Sequence, residues 1–256
     1  MVKKCFELFK KEQQDYKYLL RNVPSSVVVL LVVSVVLMNL LANKEIYTGI
    51  SWLALDCGLL LSWLSFLCMD IITRRFGAKP AIKLSLMAIG INLFVCIVLY
   101  LISLIPGNWG EYYTYNNVIV NDALNSTIGG TWYILLGSTI AMAVASVVNS
   151  VSNALLGEVF TDDGFKSYAI RSYVSTFLGQ FVDNFIFAVI VSHQFFGWNW
   201  IQCVSCSFSG CLLELVCEMI FSPFGYKVSK DWEKENVGKD YLEYAKLCKG
   251  VGKDYE

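Results

Sequence analysis

Apolar stretches of membrane-spanning length recur along the chain, separated by short polar segments. A transmembrane helix needs about 20 predominantly apolar residues, because the hydrocarbon core of a bilayer is about 30 Å thick. The stretches that approach or exceed this length cover residues 26–43, 50–72, 82–105, 132–156, 172–195 and 200–221. We therefore predict an all-α, polytopic integral membrane protein with six transmembrane helices in one bundle.

Charged residues concentrate at the two ends of the chain and divide it into three parts. Residues 1–24 form a basic segment, residues 25–225 the predicted transmembrane domain, and residues 226–256 a charged tail. In the first part, apolar side chains such as Tyr16 and Leu20 recur at helical spacing among lysines. This spacing fits either a helix lying on the membrane surface or a solvated helix. We expect the tail to form a helix without chemistry of its own.

Lysine and arginine fall almost entirely on one side of the predicted spans. Nineteen of the 20 lie in the two end segments or in alternate connections, and Lys44 is the exception. Cytoplasmic segments of membrane proteins carry an excess of these residues. Only an even number of spans gives this distribution, so we predict a multi-pass protein of the cell (inner or plasma) membrane with both termini in the cytoplasm.

The composition agrees with this class and excludes others. Hydrophobic residues make up 56% of the chain and charged residues 16%, and the mean hydropathy is +0.54. A soluble domain carries about 25% charged residues. The net charge of −1 offers no basic field for a nucleic acid. Most cysteines lie in apolar runs, and Cys203-Val-Ser-Cys206 has no second pair at zinc spacing, so we predict small apolar side chains and no metal or cofactor.

An acidic residue in the middle of the fifth span is the clearest candidate for function. A charged group at the centre of a spanning helix costs roughly 2.5–3.5 kcal/mol on insertion scales, so Asp183 needs a cavity or a partner. Helical spacing places Thr176, Gln180 and Phe187 on the same stripe. A stripe of hydroxyl, amide and carboxylate predicts a ligand wall. The alternative is a polar network that holds the fifth helix to its neighbours.

Other polar side chains lie nearer the ends of the predicted spans. In the sixth span Glu214 is deeper than Glu218, which lies near the cytoplasmic end and is expected to pair there with a basic residue. Asp70 precedes Arg74 by four residues, and this spacing predicts an exposed ion pair at the membrane interface. Asn39 closes the first span.

No nucleotide-binding P-loop, metalloprotease motif or serine nucleophile with a partner histidine occurs in the sequence. An intramembrane enzyme would need a converging nucleophile and base. We therefore do not expect an enzyme.

Four motifs together give the sequence a family resemblance. They are the segments Asn39–Lys44, Asp56–Gly58, Asp70–Gly77 and Arg171–Phe185. Over residues 25–225 the chain resembles the queuosine precursor transporter family, also called the VUT family. It departs from the family pattern at Arg74-Arg75, where many members carry an acid, and at Ser62-Trp63, where a proline is common.

The resemblance implies uptake of queuine or related 7-deazaguanine bases, salvaged for tRNA modification. It implies a small-molecule substrate and a lipid bilayer as partners, no nucleic acid, and leaves homo-oligomerisation open. For such a flat base we expect edge recognition by Asp183 and Gln180, further contacts from Asn39, Glu214 and Thr176, and stacking on Phe187 and Trp63. Gating or orienting charges are expected at Lys44, Arg171 and Asp70.

Three other readings remain at this point. The chain resembles in size the substrate-capture subunit of an energy-coupling-factor system, and Ala141-x-x-x-Ala145 offers small residues for docking a partner helix. An intramembrane enzyme is the second alternative, and a structural membrane protein is the third. A structural protein would not need Asp183 at the midplane.

Overall fold

The computed structural model describes residues 2–42, 44–47, 49–50, 55–110, 118–129, 132–162, 164–194 and 197–251. The helices are α1 (Val2–Asn22), α2 (Ser25–Leu41), α3 (Leu59–Phe76), α4 (Ala78–Ser103), α5 (Val118–Gly129), α6 (Trp132–Val159), α7 (Phe165–Phe187), α8 (Trp200–Lys234) and α9 (Lys239–Val251). A π-helical turn, Ala188–His193, continues α7, and the antiparallel pair β1 (Glu45–Ile46) and β2 (Leu55–Asp56) lies between α2 and α3. The predicted all-α class is confirmed.

Each of the six predicted apolar stretches overlaps a helix, but not all of these helices qualify as spans alone. Of the described helices, four are long and apolar enough to cross a membrane: α4, α6 within Val118–Val159, α7 with its π-helical turn, and α8. A fifth is obtained if α2 is joined to the end of α1, although the two are bent by 108°. By itself α2 has only 17 residues.

The helix α3 differs most from its prediction. It begins at Leu59, nine residues later than the predicted start of the second span, and continues to Phe76. It therefore includes Asp70, Arg74 and Arg75. These three charges explain why α3 does not qualify as a span on composition. Because α3 ends at Phe76, four residues beyond the predicted end, Asp70 lies in the body of the helix and not at its end.

The same helix lies at the centre of the bundle, where it contacts α2, α4, α6, α7 and α8. All residues from Ser65 to Thr73 are buried. A helix enclosed on every side has no solvated face. Its polar residues must therefore find their partners on the surrounding helices.

Apolar side chains cover the outside of the bundle. Phe94 is 67% exposed, Ile201 79% and Ile220 61%, and similar residues are exposed on α2, α4, α6, α7 and α8. A soluble monomer seldom exposes a large contiguous apolar surface. This surface is the one that lipid covers in a helical membrane protein.

The two ends of the chain pack together beside the point where α3 ends and α4 begins, which we call the Arg74 end of the bundle. Tyr18 of α1 stacks on Tyr244 of α9 at 4.9 Å between ring centroids. Burial raises the pKa of the Tyr241 hydroxyl, and the charge of Asp15 raises it further. Lys83 of α4 contacts Glu12 at 2.5 Å. The predicted tail thus begins within α8, which continues unbroken to Lys234, and ends in a docked helix.

Candidate functional site

A polar cavity lies toward the opposite end of the bundle, which we call the Lys44 end. Its volume is about 50 Å³, and it is partly open to solvent. The lining residues come from α2, α3, α6, α7 and α8 and from the positions directly after α2 and before α3. They are Met38, Asn39, Ala42, Gly58, Leu59, Ser62, Ser138, Ala141, Asp183, Asn184, Phe187 and Glu214. Four of the predicted site residues are among them: Asn39, Asp183, Phe187 and Glu214.

Glu214 is held in place by donors from two other helices. Its side chain is 1% exposed. Ser62 of α3 donates to Oε1. Asn184 of α7 donates from Nδ2 to Oε2 at 3.0 Å. Gly210, one turn earlier on α8, leaves room for that amide, because a Cβ there would lie 3.0 Å from Asn184 Nδ2. The carboxylate is therefore fixed at the cavity wall by neutral groups.

Asn39 occupies the facing wall with a similar arrangement. Its Nδ2 donates to the Val35 carbonyl at 2.8 Å, and Ser138 of α6 donates to its Oδ1. These bonds fix which end of the amide faces which neighbour. The Asn39 amide is therefore held in one orientation at this wall.

Asp183 and Phe187 line the cavity from α7, one helical turn apart. The π-helical turn begins directly after Phe187. Such turns occur often at functional sites, where they interrupt the regular helical pattern. A carboxylate next to an aromatic ring is a combination that can bind the edge of a flat base and cover its face.

A second polar cluster lies deeper, toward the Arg74 end, and is centred on Asp70. This residue is 0% exposed. It accepts hydrogen bonds from Asn149 Nδ2 at 2.9 Å and from Ser172 Oγ at 2.7 Å. The exposure predicted for Asp70 and Arg74 is wrong, because both side chains are buried; that of Arg74 is 6% exposed. Arg74 lies over the rings of Tyr168 and Tyr226, at 5.4 and 5.8 Å.

Glu218 belongs to this cluster and not to a cytoplasmic ion pair. It is 0% exposed, and Ser172 Oγ lies 2.5 Å from its Oε1. The predicted pairing with a basic residue near the membrane surface is wrong, because α8 continues 16 residues beyond Glu218 and keeps it inside the bundle. One hydroxyl thus contacts the carboxyl groups of both Asp70 and Glu218.

Three further predicted residues lie in or beside the deeper cluster. Thr176 is within 3.5 Å of Asp70 Oδ2. Arg171 donates from Nη2 to Asn153 Oδ1 at 3.1 Å, and Asn153 donates to Ser175. Gln180 lies on α7 between the cavity and the cluster, and it is fully buried. Neither its amide oxygen nor its nitrogen has a hydrogen-bond partner among the described residues. The predicted stripe on α7 is therefore divided between two regions.

Two predicted residues lie away from both regions. Trp63 stacks on Phe221 at 4.3 Å between ring centroids, and its Nε1 donates to the Leu60 carbonyl at 2.8 Å. Lys44 is exposed beside the β1–β2 pair. Neither side chain lines the cavity.

Sequence reasoning missed several side chains that the structure brings together. Ser62, Ser138 and Ser172 all contact an acid or amide of another helix. Serine is common in apolar helices, where its hydroxyl usually bonds to its own backbone. The only signal was the departure at Ser62, which the family pattern marked as unusual.

The small-residue face on α6 is used within the bundle. Ala141 is 1% exposed and Ala145 0%. The pair does not offer a free surface to a partner helix, as the capture-subunit alternative had allowed, because the chain's own helices cover it.

A bundle of apolar helices around a polar cavity is the architecture of a multi-pass helical membrane protein. Residues 56–228, about two-thirds of the chain, match the model of a family described as "Putative vitamin uptake transporter". The chain belongs to this family, in agreement with the resemblance to the VUT family. The match covers α3 and most of α8, and it excludes Asn39 and Lys44. No curated protein and no solved structure matches the chain.

Proposed function

We propose that this protein imports queuosine precursors, queuine or a related 7-deazaguanine base, across the cell membrane. The observation that carries the proposal is the cavity in which Asp183, Glu214 and Asn39 surround a space beside Phe187. A carboxylate accepts two hydrogen bonds from adjacent N–H groups with good geometry. The amide and amino edge of a deazaguanine offers such a pair, and its flat face stacks on an aromatic ring.

Within this proposal the acidic side chains have different tasks. Glu214 is already fixed by Ser62 and Asn184. It contributes a rigid negative wall. Asp183 reads the base edge from α7. Asn39 supplies an amide on the facing wall. Binding in this way uses no nucleophile, so the proposal assigns the cavity to carriage and not to catalysis.

The proposed topology has six spans, with α2 and α3 completing the set that length and composition identify. The Arg74 end faces the cytoplasm, because it carries Arg74, Arg75 and the packed helices α1 and α9. The cavity then lies nearer the outside. A cysteine introduced at Asp240 should escape a membrane-impermeant thiol reagent, while one introduced at Gly110 should react. The protein without an introduced cysteine gives the background, and labelling at Asp240 in intact cells would contradict the topology.

Uptake tests the function directly. The chain is expressed as the only importer in a host that cannot make 7-deazaguanines, and queuosine in tRNA is measured after queuine or a precursor base is supplied. We expect queuosine to be restored by this chain alone. Asp183→Asn should abolish the restoration, while Asp162→Asn, an exposed aspartate before α7, should not. Restoration only with a second membrane subunit would instead identify a capture subunit.

A further inference from the structure

The deeper cluster places two carboxyl groups on one hydroxyl. Ser172 Oγ lies 2.7 Å from Asp70 Oδ2 and 2.5 Å from Glu218 Oε1. A serine hydroxyl has one hydrogen to donate and two lone pairs with which to accept. It can therefore donate to only one of the two acids. The second contact is attractive only if that acid carries a hydrogen and donates it to Ser172.

The surroundings distinguish the two acids. Asp70 also accepts a hydrogen bond from Asn149 Nδ2 at 2.9 Å. Glu218 Oε2 is buried and has no hydrogen-bond partner among the described residues. An ionised carboxylate in a dry interior needs several donors, whereas a protonated one does not. Asp70 is thus the ionised member, and Glu218 is the member that holds the proton.

Both uncharged amides and charged side chains face the pair formed by Asp70 and Glu218. From α6 the pair faces the uncharged amides of Asn149 and Asn153. The charged and titratable groups around it on α3, α7 and α8 are Cys68, Arg74, Tyr168, Arg171 and Glu214. Of the two arginines, Arg171 donates to Asn153 and Arg74 approaches Glu233 at 3.7 Å.

We propose that Asp70, Ser172 and Glu218 hold one proton that is exchanged during each transport cycle, so that the carrier is driven by a proton gradient. This inference rests on the proposed function. Glu218 and Glu214 lie one turn, about 6 Å, apart on α8. A shift of α8 that accompanies substrate movement in the cavity therefore also separates Glu218 from Ser172. The separated Glu218 carboxyl releases its proton to water and becomes a carboxylate. A proton from the other side restores the bridge.

Purified protein in sodium-free liposomes separates exchange from net transport. In counterflow, labelled queuine enters liposomes preloaded with unlabelled queuine, and no net proton movement is needed. In accumulation, an inward proton gradient is the only driving force. We expect the wild-type protein to do both. Glu218→Gln resembles the protonated acid in shape, so it should keep counterflow and lose gradient-driven accumulation.

Two variants support the comparison. Ser172→Ala removes the bridge but keeps both acids, and it should also lose accumulation while keeping counterflow. If Glu218→Gln fails to insert, this variant decides the question. Glu158→Gln changes an exposed glutamate at the end of α6 and should behave as the wild-type protein.

The possible failures are distinct. Wild-type protein without queuine counterflow would reject the proposed function itself. Counterflow without any response to the proton gradient, or accumulation driven by sodium at equal pH, would reject the shared proton and keep the carrier. Full accumulation by both Glu218→Gln and Ser172→Ala would also reject it.

Discussion

Glu214 and Glu218 are one turn apart on the same face of α8, yet their surroundings differ in kind. Glu214 borders a small polar cavity and is held by Ser62 and Asn184. Glu218 is enclosed by the bundle and shares Ser172 with Asp70. An acid beside open volume can contact a ligand, whereas an enclosed acid can only exchange a proton or hold helices together. The role of a membrane-embedded acid is therefore decided by its neighbours and not by its depth alone.

In the cavity, we expect a large effect on substrate binding when the charge of Glu214 is removed. Glu214→Gln replaces one acceptor oxygen by a donor, which then faces the hydroxyl of Ser62 or the amide of Asn184. A hydrogen bond to a charged group contributes about 1.5–3 kcal/mol, so we expect affinity for queuine to fall about 10- to 150-fold. Equilibrium binding to purified protein measures this loss. Unchanged affinity would show that Glu214 does not contribute to substrate binding.

Gly179 connects the two regions, because it lets α7 approach both α3 and α6. A Cβ there would lie 2.6 Å from Phe66 Cε1 and 2.9 Å from Asn149 Cβ. Overpacking a core by a small group destabilises a protein by about 1–3 kcal/mol. Gly179→Ala should therefore lower the melting temperature in detergent. Gly90→Ala is the matched control, because a Cβ at that helical glycine would lie within 4 Å of no atom on another helix of the described structure. Equal melting of the two variants would contradict the close packing.

The smallest effect is expected at Arg74, beside the deeper cluster. Its guanidinium lies over Tyr168 and Tyr226. Lysine keeps the charge but loses the planar group, and cation–π contacts contribute about 0.5–2 kcal/mol. Arg74→Lys should lower the melting temperature modestly and leave membrane insertion and queuine uptake intact. Loss of uptake in protein that inserts normally would place Arg74 in the transport mechanism.

The cavity was easier to predict from the sequence than the deeper cluster. Asp183, Glu214 and Asn39 stand out because a polar group in a long apolar stretch is costly unless it faces a cavity or a partner. The cluster was misread because helix positions were measured from the predicted spans. Because α3 continues to Phe76 and α8 to Lys234, the acids that were predicted close to the membrane surface lie within the bundle.

Contacts between helices could not be predicted from spacing at all. Ser172 and Asp70 are 102 positions apart in the sequence, and Ser62 and Glu214 are 152 apart. Helical periodicity identifies which residues share a face, but it does not say which faces meet. For the same reason the stripe Thr176–Gln180–Asp183 was taken as one wall, although its two ends belong to different regions.

The central claim is that the cavity recognises a 7-deazaguanine through Asp183. It is tested most directly by equilibrium binding of queuine to the purified wild-type protein, Asp183→Asn and Asp162→Asn. Asparagine has the same shape but replaces one acceptor by a donor, so the first variant should lose about 10- to 150-fold in affinity. It should still insert at the wild-type level, because asparagine keeps the size and shape of the side chain and carries no charge that is costly to bury. Asp162→Asn should bind as the wild-type protein does. Equal affinity in all three proteins would contradict the account.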